Sequence, residues 1–297
     1  MNEPTEVTAD LLRSMRLPEP GDGGKDERGR AFIVAGSVEI PGAALLAGTS
    51  AFRAGAGRVQ IATVESVARH LGLALPEARV LGVPETPAGG MAPNAADKLL
   101  TYVARCDAIL IGPGMIGEQD AQALSEALLC ETHTAGIVLD AAALPNPDGQ
   151  REALRRYRGR LVITPHAGEM AHLLGRDKAG VEADPLGAAR DAASRLGAVV
   201  IMKGASTHIV ASEGDAWLFK GGHVGLAASG SGDTLAGFLV ALLARGASPA
   251  QAALWAVYLH GEAGCRLARS CGPLGFLARE IPGEAPRLLA ELSDGKA

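Results

Sequence analysis

One carboxylate stands where a glycine-rich turn runs into an apolar helix, in GLAASGSGDTLAGFLVALLARG, residues 225–246. Asp233 follows Gly230, Ser231 and Gly232, whose backbone N–H groups can converge on one point, and the helix beyond adds its positive end. An anion is stabilised there without a lysine. Asp233 can also be read as an ordinary first-turn acid. Capping alone leaves the glycines on either side of Ser231 unexplained, because glycine costs about 1 kcal/mol in a helix. A carboxylate beside a phosphate cradle is what removes a proton from an attacking hydroxyl. The spacing therefore points to phosphoryl chemistry with Asp233 as base.

Three further stretches carry residues of the same kind. In ILIGPGMIGEQD, Gly112, Gly114 and Gly117 satisfy G-x-G-x-x-G between a strand and a helix, and Asp140 closes the next strand at about the distance a dinucleotide fingerprint requires. Pro113 has no N–H to give a pyrophosphate. Two readings stay open: a loop lining a ligand at a strand end, or a tight turn that needs glycine for its backbone angles. VITPHAGEMAHLLG places His166 and Glu169 after another strand. A single H-x-x-E pair falls short of the three protein ligands a zinc site needs. Glu169 can serve as a first-turn acid or meet Mg²⁺. VIMKGASTH ends an apolar strand in Lys203 and Gly204, so the ammonium needs an anion or the rim of a crevice. No G-x-x-x-x-G-K-[ST] loop occurs.

The elements that must position these residues alternate. Apolar, β-branched runs at 31–36, 58–63, 78–83, 108–112, 136–141, 161–165 and 198–204 read as strands, with helical patterns such as 43–55 and 118–129 between them. Such near-continuous apolar strands imply a parallel sheet covered on both faces. THIVAS and AWLFKG, 207–212 and 216–221, read as a late hairpin. Two helices, 232–245 and 249–270, are expected to end the chain. Residues 1–30, with PEPGDGGKDERGR at 18–30, read as a flexible lead-in, and 31–297 as a single domain.

Composition sets the bounds. The chain of 297 residues is 47% hydrophobic but 3% aromatic, so Ala, Val, Leu and Ile must build its core. A net charge of −5 argues against a nucleic-acid surface. Cys106, Cys130, Cys265 and Cys271 are scattered and read as free thiols in a reducing compartment. The absence of an apolar leader or of a membrane-length run leads to the expectation of a soluble, cytoplasmic protein.

Taken together, GSVEIPGAALLAGTSAFRAGAGRVQIAT, GPGMIG, VLDAAAL, TPHAGE, MKGASTHIV, GSGDTLAGFLVALLARG and YLHGEAG occur in an order that resembles the ADP/ATP-dependent NAD(P)H-hydrate dehydratases. The resemblance spans about Ala31 to about Ala268. It implies a ribokinase-like three-layer α/β/α fold with a mostly parallel central sheet. It also implies nucleotide-dependent dehydration of (S)-NADHX or (S)-NADPHX, with ADP or ATP as co-substrate and Mg²⁺ as cofactor. Substrate positions carried over are Ala43, Gly114 or Gly117, His166 and Asp233. Adenine-nucleotide positions are Lys203, Gly204, Ala205, Ser206, Thr207 and Gly232, with Gly230 and Ser231 completing the cradle. Glu169 is the position expected to help place Mg²⁺. A homotetramer is implied as well, and the Ala/Leu stripe AALLAGTSAF could pack between subunits or in a core. The family's D-A-D-A-L is here Asp140-Ala141-Ala142-Ala143-Leu144, so its second acid is absent. Rival readings are a hydroxyl kinase of the hydroxyethylthiazole or pyridoxal type, a nucleotide-binding relative without turnover, and a Rossmann dehydrogenase.

Overall fold

The computed structural model describes residues 3–19, 24–132, 134–146, 154 and 156–293. Its strands are β1 (Thr5–Glu6), β2 (Arg30–Val34), β3 (Arg58–Val64), β4 (Arg79–Val83), β5 (Ala108–Ile111), β6 (Gly136–Leu139), β7 (Leu161–Ile163), β8 (Val199–Met202), β9 (Thr207–Val210) and β10 (Ala216–Phe219). They form one sheet in the order β1-β10-β9-β8-β7-β6-β5-β2-β3-β4. From β8 to β4 every pairing is parallel, while β8–β9 and β9–β10 are antiparallel. The late hairpin expected from the sequence is β9–β10.

The helices are α1 (Ala9–Ser14), α2 (Gly42–Arg53), α3 (Glu65–Ala74), α4 (Ala96–Val103), α5 (Glu118–Leu129), α6 (Ala167–Leu174), α7 (Lys178–Ala183), α8 (Pro185–Leu196), α9 (Ser231–Ala244), α10 (Pro249–Ser270) and α11 (Ile281–Ser293). Alternation along a strand splits the core in two. Ala31 and Ile33 of β2 join Ala44, Ala47, Phe238 and Trp255 on one face; Phe32 and Val34 join Leu99, Leu124 and Met170 on the other. The result is the three-layer α/β/α arrangement.

Helix α9 lies at the centre of the first layer, with twelve of its fourteen residues buried. It packs tightly on α2: a Cβ on Gly237 would stand 2.3 Å from the Ala47 carbonyl oxygen. That contact uses the small-residue stripe of α2, where Ala43, Ala44, Ala47, Gly48, Ser50 and Ala51 are all buried. The stripe thus packs inside the chain rather than between subunits.

Two expectations change. Residues before Ala31 carry β1 and α1, and Leu12 is wholly buried. The Trp255 indole N–H donates to Met15 O at 2.9 Å, and the Gln251 amide donates to Met15 O and Arg16 O. Asp26 accepts from Arg30 and Arg58. Much of the supposed lead-in is therefore tied to the body. A further helix, α11, follows α10. IPGEAP, with two prolines and a glycine, hides its start from a periodicity argument, although Ile281, Ala285, Leu288 and Leu292 face the core at helical spacing.

Candidate functional site

Strand order reverses beside β5 and β2, and a parallel sheet opens a crevice at the C-terminal ends of its strands at such a point. The loops that leave β2 and β5 meet there. Gly36 N–H donates to Pro113 O at 2.7 Å. Gly114, at φ +64°, lies so close to Ala43 that a Cβ would come within 2.5 Å of the Ala43 methyl. Gly112, at φ +127°, abuts the end of β6, where a Cβ would meet Asp140 O at 1.7 Å. Both glycines are required by backbone angle and by close approach. At Gly112 and Gly114 the structure thus has the tight turn that glycine makes possible. Gly117 stands apart as the exposed residue at the start of α5.

Three neighbouring strand ends supply the charges. Asp140 follows β6, Thr164 follows β7 and Lys203 follows β8. The Thr164 hydroxyl donates to Asp140 Oδ1 at 2.5 Å, and Lys203 Nζ donates to the same oxygen at 3.0 Å. Glu169 Oε2 lies 3.7 Å from Lys203 Nζ. Burial opposes the Lys203 charge, yet the Asp140, Glu169 and Asp233 carboxylates hold its pKa above the usual lysine value. Just after Asp140 the chain passes through Ala141 at φ +48°, the one non-glycine with positive φ among the described residues. Such strain persists where the surroundings over-determine it. The sequence offers Asp140 as part of a possible fingerprint and as the first acid of Asp140-Ala141-Ala142-Ala143-Leu144, without its partner. Its pairing with Lys203 was visible in principle, because both close apolar strands.

His166 and Glu169 form a reciprocal cap on α6. Glu169 Oε2 accepts from His166 N at 2.7 Å, and His166 Nδ1 accepts from Gly168 N and Glu169 N at 3.0 and 3.2 Å. Because Nδ1 accepts, the neutral form of the exposed ring carries its proton on Nε2, which lies 3.6 Å from Glu169 Oε1. A one-residue bridge joins His166 to Lys203. Gly204, Ala205 and Ser206 form exposed bends beyond it, and Thr207 opens β9.

The glycine turn closes the site. Gly230 adopts φ +87° and caps α9, and a Cβ there would meet Leu46 Cδ1 at 2.5 Å. Ser231 N is spent on Ala228 O, which leaves the Gly232 and Asp233 N–H groups at the helix start without i−4 acceptors. Lys203 Nζ lies 3.8 Å from the point a Gly232 Cβ would occupy, so the ammonium flanks the cradle. Asp233 sits in the first turn with its pKa raised to about 6, mainly by burial and then by Asp140, with Lys203 opposing. Fold and packing thus gather Lys203, Gly230, Ser231, Gly232, Asp233, His166 and Glu169, and separately Ala43 with Gly114. Among the described residues no three His, Cys, Asp or Glu side chains gather as a metal-ligand set. No described helix is long and apolar enough to cross a membrane.

A family profile described as NAD(P)H-hydrate dehydratase matches residues 31–287. An ADP-dependent (S)-NAD(P)H-hydrate dehydratase of Xanthomonas campestris is 47% identical over 290 residues, covering 97% of both chains. A bifunctional NAD(P)H-hydrate repair enzyme of Moorella thermoacetica is 36% identical over 288 residues, and the chain spans 54% of its length. The crystal structure of an ADP/ATP-dependent NAD(P)H-hydrate dehydratase from Bacillus subtilis, co-crystallised with ATP/Mg²⁺, superposes with a TM-score of 0.80 at 30% identity. That match covers 98% of this chain and 99% of that one.

Proposed function

The chain belongs to the NAD(P)H-hydrate dehydratase family, and from that premise we infer that Asp233 is the base that starts the repair of (S)-NADHX or (S)-NADPHX in the crevice. The enzyme is an ADP-dependent dehydratase that returns the hydrated cofactor to NADH or NADPH, with an adenine nucleotide as co-substrate. Asp233 takes the proton of the C6 hydroxyl as its oxygen bonds to the terminal phosphorus of ADP or ATP. The bond from that phosphorus to the departing nucleotide breaks. Gly232 and Asp233 N–H groups and the flanking Lys203 hold the phosphoryl charge in transit. The ring nitrogen then expels phosphate from C6, and loss of a proton from C5 restores the dihydropyridine.

The observation that carries this reading is a carboxylate with its pKa raised to about 6, set in the first turn of a helix beside free N–H groups and a lysine. Gly114 packed on Ala43, with the His166 ring across the crevice, supports a place for the hydrated nicotinamide nucleotide. Gly117 lies further out, where a long dinucleotide can reach. Lys203 and Gly204–Thr207 flank the cradle and are assigned to the adenine nucleotide. Mg²⁺ fits Glu169, whose Oε1 accepts none of the cap's hydrogen bonds and lies 3.6 Å from His166 Nε2, since that ion uses one or two carboxylates, substrate phosphates and water. Bound there, it neutralises phosphate charge. The body from β1 to α11 is assigned to one catalytic domain, four copies to the assembly, and the cytoplasm to the location.

The test is regeneration of NADH absorbance from (S)-NADHX with Mg²⁺ and ADP or ATP. A nucleotide-dependent rise that vanishes in Asp233→Asn supports the assignment. A rise that persists in that variant removes Asp233 as base.

A further inference from the structure

One partly buried contact of the cradle takes no direct part in the phosphoryl transfer. His260 of α10 reaches across to the first residue of α9, its Nε2 lying 3.0 Å from Ser231 O and 2.9 Å from Ser231 Oγ. A carbonyl oxygen only accepts, so Nε2 carries a hydrogen, and in the neutral ring Nδ1 is then bare. The Thr234 hydroxyl donates to the same carbonyl at 2.7 Å. Two donors thus converge on Ser231 O.

Across the peptide bond from that carbonyl is the N–H of Gly232. In a trans peptide the two groups point in opposite directions. Whatever holds the Ser231 oxygen toward α10 therefore aims the Gly232 N–H into the crevice. The peptide needs holding because Gly230 and Gly232 flank Ser231, and glycine leaves neighbouring peptide planes free to rotate. Donation onto the carbonyl also polarises the N–H at the other end.

We infer that His260 is a positioning residue: its Nε2–H clamps the Ser231 carbonyl and so fixes the Gly232 N–H toward the phosphoryl group in transit. This rests on the dehydratase reading of the cradle. Desolvation drives the His260 pKa down to about 4, with the Ser231 bond opposing and Lys203 adding to the fall. The ring is thus neutral across the working range, with its single proton on Nε2.

Two measurements test it. In ¹⁵N-histidine-labelled whole protein, the His260 ring, assigned by its loss in His260→Gln, is expected as the Nε2–H tautomer. The Nδ1–H tautomer overturns the clamp. In the NADHX assay, His260→Leu and His260→Asn, which cannot place an N–H at the Nε2 position, are expected to lower kcat by about ten- to a hundredfold. KM for NADHX should change little. His260→Gln, whose amide nitrogen can reach that position, should restore kcat to within about threefold of wild type. Equal losses in the Gln and Leu variants, or losses that follow Tm rather than the donor, overturn it. If Leu does not fold, the Asn and Gln pair carries the comparison. A wild-type chain without nucleotide-dependent turnover refutes the dehydratase reading instead, and the tautomer then decides the clamp alone.

Discussion

Asp233 carries a cost that follows directly from its position. Its carboxyl is raised from 3.8 to about 6, chiefly by burial. A group whose folded pKa is raised favours folding below its unfolded pKa, and that contribution is lost as pH rises through about 6. At neutral pH the charged form is thus held at the expense of stability. Asp233→Asn should abolish turnover yet stabilise the chain at pH 7 by about 2–3 kcal/mol, a gain that shrinks as pH falls through about 6 and is gone below about pH 4. Thermal melts of both chains across that range check the sign. The same raised pKa places the acid limb of kcat/KM near pH 6. Asp140→Asn removes a neighbouring negative charge and leaves Lys203 unneutralised, and both changes favour the Asp233 anion. The acid limb should therefore move to lower pH, which a pH–rate profile of that variant would read directly.

At the level of elements, the position of the cradle depends on how closely α9 approaches α2. Gly237 faces the Ala47 carbonyl and Ser50, with no room for a side chain. Gly237→Val should push the helices apart, costing about 1–3 kcal/mol of stability and lowering kcat as the start of α9 shifts. Gly114→Ala meets Ala43 and Ile40 O at positive φ, and should raise KM for NAD(P)HX more than it lowers Tm. These elements were legible in sequence to differing degrees. The parallel strands announced themselves as β-branched apolar runs, and α5 and α10 fall where helical periodicity places them. α11 did not, because prolines mask its first turns. Asp233 and its glycines were legible because glycine at a helix start demands a reason. The Asp140–Lys203 pair spans 63 residues, and only strand order brings its members together. His260 was one residue of a recognisable motif, YLHGEAG, and nothing local says that its ring crosses to another helix.

For the molecule as a whole, the N-terminal residues belong to the folded body. Val7, Leu12 and Leu17 are buried, and Trp255 and Gln251 use Met15 and Arg16 as acceptors. Deleting residues 1–17 should lower stability by roughly 3 kcal/mol, most of it from lost apolar burial. Turnover below the melting temperature should be retained, since the crevice lies at the far ends of other strands. Four-chain assembly is tested separately, by light scattering of the intact chain. The N-terminal residues also govern what happens outside the single molecule. β1 is two residues long, and it occupies the outer edge of β10, with Val7 N–H donating to Leu218 O at 2.9 Å and Glu6 beside Lys220. Without it, a strand reading Ala-Trp-Leu-Phe would present a bare row of amides and carbonyls to any passing chain. In this view the first few residues serve as a guard against polymerisation, and their proteolytic trimming would shorten the working life of a stored enzyme before it touched a rate constant.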